Sequence, residues 1–299
     1  MSGFGGFNAA GMIGHGRRRP LSLTVRRGGP SLFATAALVL SVPSAGLASS
    51  SPAATWSQLT PATSPGPRYY TSMTYDPATG NIVLFGGYGP HGVLDSTWTW
   101  NGTTWTKLAP ASHPAARDTA SMAYDPATGN VVLFGGQGAR YRYLGDTWTW
   151  NGTTWTKLAP ASHPSIRQDA PMTYDAATGN VVLSGGGTGS KVFNDTWTWN
   201  GTTWKKLAPA TKPPAQGGAS MAYDPAAGNA ILFGGYHSGA LNGTWTWNGT
   251  TWTKLAPATS PHARYVASMA YDPATGNVVL FGGYDEGALG DTWTWDSSS

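Results

Sequence analysis

The chain has 299 residues, 40% hydrophobic and only 11% charged, with 41 glycines, 15 tryptophans and no cysteine. That apolar content supports a packed core and excludes a disordered or collagen-like chain, and the missing cysteine excludes disulfides, thiolate metal sites and cysteine nucleophiles. The formal charge of +4 suggests an anionic partner until its origin is traced.

Residues 1–48 account for that charge. Arg17, Arg18, Arg19, Arg26 and Arg27 precede the apolar run 32–42, Pro43 and a small-residue stretch ending Gly46-Leu47-Ala48, and no acidic residue occurs before Asp76. This order reads as a secretory signal cleaved after Ala48. An uncleaved anchor, translation from Met12 and a twin-arginine signal are the alternatives. Beyond residue 48, 13 Lys and Arg face 14 Asp and Glu, a net charge of −1. Binding to a phosphate backbone then has no electrostatic basis, and nothing later in the chain reads as a membrane span. The chain is expected to be secreted or periplasmic and monomeric.

After a short linker, 49–54, the first expected element is a lone strand, Thr55 to Leu59. The run Tyr70 to Tyr75 alternates and leads into Asp76-Pro77-Ala78-Thr79-Gly80-Asn81, a turn that Asp can cap and in which Gly supplies a positive φ. Ile82 to Phe85 is continuously apolar, as for a strand buried on both faces, and Gly86-Gly87 follows. Thr97 to Trp100 and Thr104 to Leu108 flank Asn101-Gly102, a two-residue hairpin signal. With those two as the loop, Trp98 is expected opposite Trp105, and Trp98, Trp100 and Trp105 share one face.

This unit repeats. The glycine pairs Gly86-Gly87, Gly135-Gly136, Gly185-Gly186, Gly234-Gly235 and Gly282-Gly283 are 49, 50, 49 and 48 residues apart, and Trp56, Trp105, Trp155, Trp204 and Trp252 keep the same step. The chain closes on a third strand, Thr292 to Trp295, that lacks its partner, with 297–299 as a tail. Pairing it with Thr55 to Leu59 gives twenty strands, four antiparallel strands per unit, and no open edge.

The order of Pro67-Arg68, a hydrophobic strand, a strand ending in Gly-Gly, an acidic turn and Trp105-Thr106-Lys107-Leu108 resembles the kelch repeat over residues 53–296. The resemblance implies an all-β fold, a five-bladed kelch-type β-propeller of the galactose-oxidase-like kind, here spanning 55–296 with the last blade closed by the N-terminal strand. Familiar kelch propellers have six or seven blades, so five is a departure. The copper-radical cofactor of galactose oxidase needs a Tyr cross-linked to Cys, which this chain cannot supply, and no cofactor is expected.

Positions constant in all copies belong to the blade, whereas varied loop positions can carry specificity. Asp76, Asp125, Asp175, Asp224 and Asp272 read as turn caps, with a calcium ring as the alternative, and the tryptophans read as packing between blades, with sugar stacking as the alternative. Asn101, Asn151, Asn200, Asn248, Asn194 and Asn242 stand in glycosylation triplets. Arg68, Arg117, Arg167 and Arg264, with Gln216 in the fourth unit, lie on inter-blade connections, where they either bind an anionic group at the channel mouth or hold neighbouring backbone. The loops 88–95, 137–145, 187–194, 236–242 and 284–290 vary most. They contribute the candidate ligand-binding residues Tyr88, His91, Arg140, Tyr141, Arg142, Tyr143, Lys191, Phe193, Tyr236, His237, Tyr284, Asp285 and Glu286. These aromatic and hydrogen-bonding side chains suit a glycan or an extracellular protein. No serine elbow, metalloprotease His pair or phosphate loop occurs. The expected function is a non-catalytic binding module, with a sugar isomerase or a structural cell-surface propeller as alternatives.

Overall fold

A computed structural model describes residues 58–297, and the compact unit that holds the sheets begins at Pro61. The expected signal segment lies outside the described residues, as does most of the expected strand Thr55 to Leu59; Gln58 and Leu59 are not in a strand. Blade 1 consists of β1 (Ser72–Asp76), β2 (Asn81–Phe85), β3 (Thr97–Trp100) and β4 (Trp105–Leu108), antiparallel and in that spatial order. Blade 2 repeats it with β5 (Ser121–Asp125), β6 (Asn130–Phe134), β7 (Thr147–Trp150) and β8 (Trp155–Leu158). Blade 3 has β9 (Met172–Asp175), β10 (Asn180–Ser184), β11 (Thr196–Trp199) and β12 (Trp204–Leu207). Blade 4 has β13 (Ser220–Asp224), β14 (Asn229–Phe233), β15 (Thr244–Trp247) and β16 (Trp252–Leu255). Blade 5 has three strands among the described residues, β17 (Ser268–Asp272), β18 (Asn277–Phe281) and β19 (Thr292–Trp295).

Local chemistry sets the turns. Asp76 accepts the Ala78 amide at 3.1 Å on Oδ1 and the Thr79 hydroxyl at 2.9 Å on Oδ2, and Gly80 follows at φ +71°. Asp125, Asp175 and Asp272 repeat both bonds, and Asp224 repeats the amide bond. These carboxylates are therefore engaged as turn caps.

The hairpin register differs from the expected one by two residues. Trp100, not Trp98, lies opposite Trp105, and Trp98 lies opposite Lys107. The loop has four residues because Asn101 Oδ1 accepts the amides of both Thr103 and Thr104, at 3.0 and 2.8 Å, so Thr103 and Thr104 are held in the turn instead of the ladder. A shift of two preserves alternation, and all three indoles keep the common face. Opposed indoles sit with ring centroids 5.2–5.4 Å apart in blades 1 to 4.

The core lies between blades. Val83 and Phe85 of blade 1 pack with Met122, Leu133, Trp150 and Trp155 of blade 2, and equivalent clusters join blades 2 to 3, 3 to 4 and 4 to 5. Trp155, Trp204 and Trp252 are 1% exposed, and each indole donates to a threonine of the preceding blade: Thr97, Thr147 and Thr196, at 2.9–3.0 Å. The inner strands each give a methionine, Met73, Met122, Met172, Met221 and Met269, to the lining of one central channel, a cavity of about 250 Å³.

The seam between blades 5 and 1 lacks these contacts among the described residues. Phe281 is 51% exposed where Phe85, Phe134 and Phe233 are at most 4%, and Met73 is 56% exposed where Met122 and Met221 are 9%. The Arg117 amide donates to Leu94 O, and the Gly87 amide to Arg117 O; both bonds recur at the next three seams, and neither joins Arg68 to Leu289 or Gly283. A Cβ on Gly152 or Gly201 would come within 2.7 or 2.5 Å of Thr79 or Thr128 in the preceding blade, whereas one on Gly102 would meet nothing.

Candidate functional site

Each inter-blade connection pairs, backbone to backbone, with the loop that follows the glycine pair. Tyr69 pairs with Tyr88, Asp118 with Gln137, Gln168 with Gly187, Gly217 with Tyr236 and Tyr265 with Tyr284. The two groups of candidate residues thus share one face, at one mouth of the channel.

The arginines do not offer their guanidinium groups there. Arg117 is 1% exposed; Nη1 donates to Gly135 O at 2.9 Å and to Asp146 Oδ1 at 2.6 Å, and Nη2 donates to Asp146 Oδ2 at 2.9 Å. Arg167 with Asp195 and Gly185, and Arg264 with Asp291 and Gly282, repeat the arrangement. Burial pushes the Asp146 and Asp195 carboxyls up, but the bonded arginine and an indole donor from Trp148 or Trp197 outweigh it and hold both below the ordinary aspartate value. Asp291 is held well below it by the Arg264 and Trp293 bonds. Arg68 has Ser96 in place of the acid, with Gly86 O at 3.2 Å. In blade 4 the acid position is Gly243, and Gln216, buried at 2%, leaves its Nε2 without a partner among the described residues. In blade 4 both halves of this staple, arginine and aspartate, are lost together, which leaves no buried charge unpaired, whereas in blade 1 the acid alone is lost and Arg68 is not fully buried. The reading of Arg117, Arg167 and Arg264 as ligand binders is corrected accordingly: they fix each loop to the wall.

Phe193 is also withdrawn from the surface. It is 8% exposed and lies under Arg167, whose guanidinium carbon is 4.1 Å from the ring centroid. It fills the place that Leu94, Leu144, Leu241 and Leu289 take elsewhere, as its amide bond to Gly186 O shows. Tyr88 and Tyr141 are 37% and 62% exposed. His91, Arg140, Arg142, Lys191, His237 and Glu286 are exposed on the rim, and Tyr143, Tyr236, Tyr284 and Asp285 are half-buried.

Several residues at the mouth escape a search confined to the long loops. Tyr69 stacks on Tyr88 at 5.2 Å and meets Tyr70 edge-on at 5.0 Å, while Tyr265 contacts both Tyr236 at 5.1 Å and Tyr284 at 5.6 Å. Tyr70, Thr119, Asp169, Gly218 and Val266 all take a left-handed backbone, φ +49° to +67°, at the channel rim. They form a backbone chain in which Thr119 donates to Tyr70 O, Asp169 to Thr119 O, Gly218 to Asp169 O and Val266 to Gly218 O, at 2.7–3.1 Å. The ring-closing bond between Tyr70 and Val266 is absent among the described residues. Burial, then the charge of Asp118, pushes the Asp169 carboxyl up to about 7. Burial also raises Asp118. The sequence signal was present: the two positions after Arg68, Arg117, Arg167, Gln216 and Arg264 read Tyr-Tyr, Asp-Thr, Gln-Asp, Gly-Gly and Tyr-Val, within an otherwise repeated segment.

An all-β array of repeated four-stranded antiparallel sheets, packed blade against blade, defines a β-propeller. Residues 50–210 match the KLHDC2/KLHL20/DRC7 Kelch-repeats domain, and the chain belongs to the kelch-repeat family. No curated protein matches it.

Proposed function

We propose that this propeller is a secreted, non-catalytic binding module that engages an extracellular protein or a glycan through the face around Tyr69, Tyr70, Tyr88 and Tyr141. Kelch-repeat domains are protein-binding propellers as a class, and the observation that carries the reading is the run of tyrosines across this mouth. Aromatic side chains in partly exposed clusters are the commonest anchors of binding surfaces. The isomerase reading needed an arginine-lined pocket, and three of the four arginines are engaged with Asp146, Asp195 and Asp291. The test is capture of extracellular proteins and glycan-array binding by the purified chain. Changing Tyr69 and Tyr88 to Ala is expected to weaken saturable binding at least about tenfold; unchanged binding would place the site elsewhere.

We also infer a closed five-bladed ring in which Thr55 to Leu59 completes blade 5. In support, Trp56 stands twelve residues before Arg68, the same interval as Trp105 to Arg117, Trp155 to Arg167, Trp204 to Gln216 and Trp252 to Arg264. The β19 edge has no described partner, and Thr244, which would accept from Trp56 by the pattern of the other blades, has no indole donor among the described residues.

A further inference from the structure

We propose that the channel mouth is a recess for a basic side chain, a lysine or arginine of a partner polypeptide, seated against the carboxylates of Asp118 and Asp169 beside the rings of Tyr69 and Tyr70. This rests on the reading of that face as the binding face, and it adds the charge of what binds there. The Asp169 amide donates to Thr119 O at 3.1 Å and the Thr119 amide to Tyr70 O at 3.0 Å, so the two carboxylates and Tyr70 come from three adjoining connections held side by side. Asp169 and Tyr70 line a cavity of about 360 Å³ whose inner wall includes Ala120, Ala170, Ala219 and Ala267. Small side chains there leave room for an aliphatic stem. Asp118 stands beside this cavity, 6% exposed, with one oxygen accepting the Thr119 hydroxyl at 3.1 Å.

No resident cation answers this charge. Every ion pair among the described residues is made by Asp146, Asp195 or Asp291, and the exposed Arg140, Arg142 and Lys191 do not line the cavity. Gln168 hydrogen-bonds Asp169 through its side chain and does not itself line the cavity. The Asp118 and Asp169 carboxyls thus bring acceptor oxygens to the mouth with no ion-pair partner among the described residues, and a lysine ammonium or an arginine guanidinium can satisfy them. Tyr69 and Tyr70 supply ring faces suited to the same guest.

The carboxylates are not needed to build the rim. Tyr70, Gly218 and Val266 hold the position of Asp169 with the same left-handed backbone and in the same inter-blade chain, and Tyr69, Gln168, Gly217 and Tyr265 hold that of Asp118 with the same pairing to the loop after the glycine pair. A buried or half-buried acid without a structural duty costs stability unless a partner compensates it.

Selection from a random peptide library on the intact chain tests the proposal. Binders to the wild type are expected to share a lysine or arginine at one position, and replacing it with norleucine is expected to weaken binding at least tenfold. In the D118N/D169N variant, with folding checked by thermal unfolding, that preference is expected to fall to about one. A basic preference that survives in D118N/D169N, a library with no basic consensus, or no binders at all overturns the recess. Loss of all binding in Y69A/Y88A together with a surviving basic preference in D118N/D169N overturns the recess and leaves the binding face standing. Peptides that bind Y69A/Y88A normally overturn the face itself.

Discussion

Blades 1 to 5 meet at four closely packed seams, and blades 5 and 1 face each other across a fifth that is not joined in the same way, although both sides carry the residues that join the others. Phe281 and Thr292 stand ready as Phe85 and Thr97 do, and Trp105 as Trp155 does, yet Phe281 is half exposed and no bond links Trp105 to Thr292 among the described residues. The difference is covalent. Elsewhere the outer strand of one blade runs directly into the next, as from Leu108 to Arg117, whereas the outer strand expected for blade 5 lies at the other end of the chain. Closing some 230 residues instead of about ten costs roughly 3 kcal/mol more in loop entropy. A seam whose two faces are complementary but not joined by a short stretch of chain therefore carries an entropic cost that the other four do not.

The largest expected effect breaks a packed seam. Trp204→Ala removes a fully buried indole and its bond to Thr147 and should cost about 4 kcal/mol in denaturant unfolding. Trp105→Ala should cost about 1 kcal/mol if the fifth seam stays open, and approach the first value if it closes. Trp56→Ala sharpens the comparison: a cost near that of Trp204→Ala supports strand Thr55 to Leu59 in blade 5, and no cost removes it.

Arg167→Ala leaves Asp195 without its hydrogen-bonded cation in a largely buried place and should cost about 3 kcal/mol. Changing Arg167 to Gln and Asp195 to Gly copies the blade 4 pair Gln216 and Gly243, and should recover at least half of that loss. A double variant no better than the single one would contradict the staple.

The smallest effect is electrostatic and belongs to the mouth. Asp169 has its pKa raised from 3.8 to about 7 in the folded chain, so the folded state holds that proton more tightly than the unfolded one. Its contribution to stability is full below pH ~4 and lost as pH rises through about 7. Asp169→Asn should flatten this dependence and raise stability at pH 8 by about 1–2 kcal/mol, allowing for solvent at a half-buried group. Asp146, Asp195 and Asp291 act in the opposite sense, and their support is lost on acidification below the ordinary aspartate range.

The blade was legible because its determinants are local and repeated: the capped Asp turn, the glycine pair and the alternating Trp-Thr strand each name their own conformation. A Cβ on Gly135 would come within 2.5 Å of the Arg167 carbonyl oxygen, so the glycine is read directly as a close approach. The hairpin register was not legible, because Asn-Gly serves two loop lengths and the Asn101 side chain chose the longer one by capturing two amides. The role of the arginines was legible only as a pair of options, since a charge 29 residues away in sequence, Asp146, decides it. Asp118 and Asp169 were visible as variation inside a constant segment, but their approach to each other depends on blades folding side by side.

The opposed indoles have an optical consequence. In blades 1 to 4 they lie 5.2–5.4 Å apart and tilted by 41–46°, a geometry in which neighbouring transition dipoles couple and give a circular-dichroism couplet in the ultraviolet. Trp295 is the one remaining member of this series among the described residues, and its counterpart by register is Trp56. Under the proposed closure, docking of the N-terminal strand would add a fifth coupled pair to four, so the amplitude of the couplet would count finished blades and serve as a spectroscopic gauge of whether the ring is whole.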